Sequence, residues 1–183
     1  MCALAALTTS VWSSVQEEQD QHGCTHDPKL IEFDAPAAGT VSSPVCAPFC
    51  GTTAYANDNL GEIVGYYTDT NIVPHGFLRT RDSHLTTFDV PSAATGPGQG
   101  SAGMSINLLG TVAGVFADAN NVMHGFSRSP RGTFATFDAP DAGTVATQPF
   151  QEGTRPSTNN LQGTVAGWYI DADGLNHGFV WNP

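Results

Sequence analysis

The sequence predicts an all-β fold built from three four-stranded antiparallel repeats arranged like the blades of a propeller. Three observations predict it. A unit of about 50 residues recurs with fixed internal spacing, its short runs are punctuated by Gly, Pro and Asn, and its best-defined strand is apolar on both faces. Composition points the same way, since 20 Gly, 12 Pro and only 13% charged residues among 183 suit a turn-rich β chain better than a helical one.

The repeats align on Gly51, Gly100 and Gly153. A second Gly follows ten residues on (Gly61, Gly110, Gly163) and a third at fourteen (Gly65, Gly114, Gly167). An Asp stands at eighteen (Asp69, Asp118, Asp171), a His at twenty-four (His75, His124, His177) and a Phe at twenty-six (Phe77, Phe126, Phe179). In the first copy this frame gives four strands, "GTTAYAND", "EIVGYYTD", "HGFLRT" and "LTTFDV". In the second of these, Ile63 and Tyr67 share one face while Val64 and Tyr66 share the other. Apolar residues on both faces mean a sheet covered on both sides, as stacked blades are. A β-trefoil is the second choice, because its strands should bury mainly one face. Length varies only between the Pro of "FDxP" and the next repeat: 15 residues from Pro36, 9 from Pro91 and 13 from Pro140.

This frame assigns residues 1–28 to a leader or N-terminal extension and residues 29–183 to one three-repeat domain, with repeats at about 51–91, 100–140 and 153–183 plus 29–36. The segment "KLIEFDAP" (29–36) reads as a fourth strand without its first three, and "HGFVWNP" (177–183) as a third strand without its fourth. The N-terminal strand is therefore expected to complete the C-terminal repeat, concealing the sheet edges. A homo-oligomer is expected, a dimer closed by such exchange being favoured over a three-bladed monomer and head-to-tail exchange giving a fibre.

The recurring Asp and His, six residues apart, flank a hairpin tip and can face each other across its two strands. Catalysis needs one asymmetric constellation, whereas this pair occurs three times with the same neighbours. Asp69 with His75, Asp118 with His124 and Asp171 with His177 are accordingly read as structural hairpin pairs, with no cofactor. The metal alternative is specific: His75, His124 and His177 gathered about a threefold axis would suit zinc or copper. "DADG" at 171–174 resembles the start of a calcium loop, but the later Glu is missing and a tight turn explains it. No G-x-S-x-G elbow, His-Glu-x-x-His or Gly-rich phosphate loop occurs.

The four cysteines, Cys2, Cys24, Cys46 and Cys50, all precede the first complete repeat, and the Cys46–Cys50 spacing suits a small loop disulfide in an oxidising compartment. The N-terminus has the small residues of a secretory signal without the basic residues that usually precede the apolar centre. A net charge of −11 with Lys29 as the only lysine argues against nucleic acid, and no apolar run is long enough to insert in a membrane.

The segments "GTVAGVFADANNVMHGFSRSPRGTFATFDAPDAGT" and "TGPGQGSAGMSIN" resemble the repeat of the HAF-type extracellular repeat proteins of bacteria, over about residues 29–183. The resemblance implies a secreted or surface-exposed, propeller-like protein and no particular reaction. The departures are a cysteine-bearing first loop and Val115 at a usual Tyr position. The expected function is a non-enzymatic extracellular module that binds a glycan or a protein or builds an assembly. The alternative is an enzyme on the same scaffold, acting on a polysaccharide or through the three-histidine metal site. Ligand contacts are expected from the loops after "FDxP", which should share one rim: Phe49, Gln99, Gln148, Phe150 and Glu152, exposed aromatics beside amides and an acid.

Overall fold

Each repeat is shaped by two turns that its own side chains close. At the first, Asp58 Oδ1 accepts the backbone N–H groups of Leu60 and Glu62. Asn107 and Asn160 do the same for their counterparts. The glycine that follows adopts a left-handed backbone, with φ of 83°, 74° and 82° at Gly61, Gly110 and Gly163. At the second turn Asp69, Asp118 and Asp171 each accept two backbone N–H groups through Oδ1. These carboxylates replace a missing turn donor–acceptor set, which is why Asp recurs there.

A computed structural model describes residues 29–39, 50–145 and 152–183. The described residues form eleven strands and no helix, so no helix here is long and apolar enough to cross a membrane. The first repeat is β1 (Gly51–Asn57), β2 (Ile63–Thr68), β3 (Pro74–Arg79) and β4 (Leu85–Phe88). The second is β5 (Ser101–Ile106), β6 (Val112–Ala117), β7 (Met123–Arg128) and β8 (Phe134–Phe137). The third is β9 (Gly153–Asn159), β10 (Val165–Ile170) and β11 (Asn176–Trp181). Within each repeat consecutive strands pair antiparallel.

The first repeat is a separate four-stranded sheet, whereas the second and third join in one sheet through a single parallel bridge, Met123 to Gly153. One residue explains the difference. Met123 donates its N–H to Glu152 O at 3.2 Å, while the equivalent Pro74 has no N–H to give.

Successive repeats pack through one ring. The phenylalanine of each "FDxP" meets the phenylalanine of the next "HGF" edge-on: Phe33 on Phe77 at 5.9 Å, Phe88 on Phe126 at 5.9 Å and Phe137 on Phe179 at 6.0 Å. The strand residue two places beyond covers that tail ring, by cation–π contact from Arg79 and Arg128 and by stacking from Trp181. The same tail then ties into the next repeat by a backbone N–H. Ala35, Val90 and Ala139 donate to the hydroxyls of Thr52, Ser101 and Thr154, each at 2.9 Å. Phe77 and Phe126 end fully buried, and Val64, Phe88, Val90, Ile106, Val112, Phe116 and Phe126 make one core cluster between the first two repeats.

Apolar residues on both faces of the second strand thus reflect two-sided cover, most completely in β6, whose six residues are all buried. Closure within one chain is corrected: residues 33–36 pack on the first repeat, and among the described residues no strand pairing involves 29–36 and β11 pairs with β10 alone, so the sheets of a single chain do not close into a ring. The reason is covalent order: a tail's downstream face belongs to the repeat that follows it, and for 33–36 that is the first.

Candidate functional site

His75 and His124 each sit in a four-part clamp, of which His177 shows three parts among the described residues. His75 Nδ1 donates to Asp89 at 2.9 Å, its Nε2 lies 3.7 Å from Asp69 Oδ2, and its ring stacks on Tyr67 across the strand pair. His124 repeats this with Asp138 at 2.9 Å, Asp118 at 3.7 Å and Phe116. His177 stacks on Tyr169 and bonds Asp171 at 3.0 Å. The structure therefore joins the three expected Asp–His pairs and adds a partner that sequence spacing missed, the Asp of "FDxP" itself. Its signal was available, because Asp follows Phe in every tail.

Electrostatics follow the bonds. The Asp138 hydrogen bond holds the His124 imidazolium above its usual range, against the opposing effect of burial and with help from Asp118. For Asp118, burial is the largest single influence and pushes upward. The N–H groups of Val122 and Asn120, the Asn120 amide and His124 together outweigh it, leaving the carboxyl low. Among the described residues no group of three or more His, Cys, Asp or Glu is placed to hold a metal, so the three histidines do not converge on one.

Of the rim residues, Phe49, Gln148 and Phe150 lie outside the described residues. Gln99 braces its own loop: its Oε1 accepts Gly96 N–H, and its Nε2 donates to Ala119 O and Asn121 Oδ1. Glu152 is buried, and its Oε2 accepts Val145 N–H at 3.1 Å. Cys50 is disulfide-bonded, while Cys46, the partner its spacing suggests, lies outside the described residues.

A different feature gathers residues from all three repeats. The pairing of the first two strands slips once in each repeat, between Ala54 and Ala56, between Gly103 and Ser105, and opposite the Ala166–Gly167 step. The extra residue is Tyr55, Met104 or Ser157, four residues after the first Gly of its repeat, and all three line one cleft of about 350 Å³. Their neighbours there are Tyr66, Val115 and Trp168, the residues that directly follow the fixed Gly65, Gly114 and Gly167. Equivalent scaffold positions thus bring unlike side chains, Tyr/Met/Ser and Tyr/Val/Trp, to one place.

The cleft is apolar and aromatic with a polar fringe. Tyr55 and Trp168 are 48% and 39% exposed, so both keep ring surface for a ligand. Tyr55 leans on Tyr66 at 5.9 Å, and the Arg155 guanidinium lies 5.0 Å over the Trp168 ring. Burial raises the Tyr66 phenol, partly offset by its hydrogen bond with Thr53, so it stays protonated. Among the described residues Arg155 is the one charged side chain that lines the cleft, and none of them brings a carboxylate to it. The wall includes Ile72, a β-branched residue held at φ 66° where the other repeats use Asn121 and Gly174.

Such a surface can stack flat or ring-shaped ligand faces and offer hydroxyl and guanidinium donors. The strand slip that aims Tyr55, Met104 and Ser157 is invisible in sequence. The variation at the aligned fifth position and at the residue after the third Gly was its readable sign. No family model, curated protein or solved structure matches the chain.

Proposed function

We propose that the protein is a non-enzymatic extracellular binding module whose meanders stack as propeller-like blades and whose ligand is a neutral glycan seated in the aromatic cleft. The observation that carries this reading is the pairing of half-exposed Tyr55 from the first repeat with half-exposed Trp168 from the third, in a cleft to which the described residues bring no carboxylate. A sugar ring presents C–H faces to the aromatics and hydroxyls to Arg155, Ser157 and the Tyr66 phenol. The Cys50 disulfide and the resemblance to HAF-type repeats support an extracellular setting.

A glycan array followed by calorimetry tests it. Trp168→Ala and Tyr55→Ala are each expected to weaken binding at least tenfold, about 1.4 kcal/mol, with the fold retained. The wild-type protein failing on every neutral glycan would overturn the reading. So would binding that survives both changes and is lost instead with Phe49→Ala or Phe150→Ala, which would return the site to the rim loops.

A further inference from the structure

The first and second repeats show what covers the outer edge of an "HGF" strand. In the first, β4 pairs with β3 in the register Gly76 to Phe88, Phe77 to Thr87, Leu78 to Thr86 and Arg79 to Leu85. In the second, β8 pairs with β7 in the same register, Gly125 to Phe137 through Arg128 to Phe134. The tail ring lies so close over the strand glycine that a Cβ on Gly76 or Gly125 would stand 2.2 or 2.7 Å from it. The tail Asp closes on the strand His. On its other side the same ring docks on the next repeat, so each tail is shared by two hairpins.

Two places in the molecule carry one half of this arrangement. On β11, the edge away from β10 pairs with no strand among the described residues, where a Cβ on Gly178 would meet only Gly167 O at 4.0 Å, and Val180 is 67% exposed. His177 has its hairpin partner Asp171 and no tail Asp among the described residues. In the N-terminal tail, Phe33 is docked downstream on Phe77 beneath Arg79, as Phe88 is on Phe126 beneath Arg128. Leu30 and Ile31, the counterparts of Leu85 and Thr86, are 92% and 65% exposed.

We infer that the edge of β11 is a docking site for residues 29–36 of a second copy of this chain, which add as the fourth strand of the third repeat. Transferring the register of the other two repeats sets Phe33 of the second copy over Gly178, Glu32 beside Phe179, Ile31 against Val180 and Leu30 against Trp181. It brings Asp34 to His177 Nδ1. Each contact answers an exposed group: Ile31 and Val180 become a cross-strand β-branched pair, and the carboxylate gives His177 the charge-assisted bond that His75 and His124 already make. The donor keeps its own Phe33–Phe77 contact, because the tail faces two hairpins at once. Association is by strand addition, with backbone bonds supplying affinity and the ring, carboxylate and branched pair supplying register. Reciprocal exchange closes a dimer and serial exchange extends a filament, both through the same contact.

The proposal is independent of the cleft ligand. Sedimentation velocity of the 183-residue protein over a wide concentration range is expected to show association. Gly178→Val has open space for its side chain within its own chain but occupies the place of the incoming ring. It should raise the dissociation constant at least tenfold while the melting curve at low concentration is unchanged, and Val180→Lys should act in the same direction. A synthetic peptide of residues 29–36 should compete with association. A monomer at every concentration overturns the proposal, as does association indifferent to both variants. Peptide binding without self-association overturns it too, by assigning the edge to some other tail.

Discussion

The second and third repeats share a sequence pattern but not a fate. "GTVAG" opens the central strand of both, and "HGF" follows at the same distance. Yet β6 is buried throughout, while β10 is buried only at Val165. Phe126 is fully buried and Phe179 only partly. The difference lies in what packs outside: β8 and its tail ring cover β7, and the third repeat covers the other side of the second. Burial in this architecture is conferred by the neighbouring repeat, so identical motifs carry different energies, as nearest-neighbour repeat proteins do.

Core truncation should break the comparison most strongly. Phe126→Ala is expected to cost about 3–5 kcal/mol in denaturant unfolding, because a fully buried ring leaves a cavity between two sheets. Phe179→Ala should cost below about 2 kcal/mol, since its ring is already part exposed. Equal losses would show that the third repeat is as covered as the second.

Space at the strand glycine gives the next effect. Gly125→Ala puts a methyl 2.7 Å from the Phe137 ring and 3.1 Å from Pro156. It should lower stability by about 1–3 kcal/mol. Gly178→Ala, with nothing nearer than 4.0 Å, should stay within about 0.5 kcal/mol at concentrations where the chain is monomeric.

The smallest effect sharpens the clamp. His124 is raised by its bond to Asp138, so its contribution to stability is full below the unfolded value of 6.5 and is lost as pH rises through its folded value. Asp138→Asn should move the His124 titration, followed by NMR, back toward 6.5 and flatten that pH dependence. The hairpin carboxylates work in the opposite window. Asp118 and Asp171 are lowered, so what they contribute is present above 3.8 and disappears as pH falls through their folded values.

The strands, their order and the repeat frame were legible because they follow from local chemistry. Asp58, Asn107 and Asn160 close turns with their own side chains, and alternation places Val64 and Tyr66 on one face. The Asp–His pairing was legible in half. His75 meets Asp69 across one hairpin, but its shorter bond to Asp89 comes from fourteen residues further on, just past β4. The cleft was not read at all, since Tyr55, Met104 and Ser157 reach it through a slip of pairing that side-chain identity does not announce.

Sequence by itself determined what each unit is: which residues turn, which extend, and that a glycine must stand where a ring crosses the strand. Tertiary structure alone decided how the units share their surfaces. It sent Phe33 to the first repeat rather than to β11, let Met123 bridge where Pro74 could not, and turned three repeated bulges toward one cleft. The physical reason is range. Turns and alternation are settled within a few residues, whereas which neighbour covers a face depends on the packing of elements far apart in the chain.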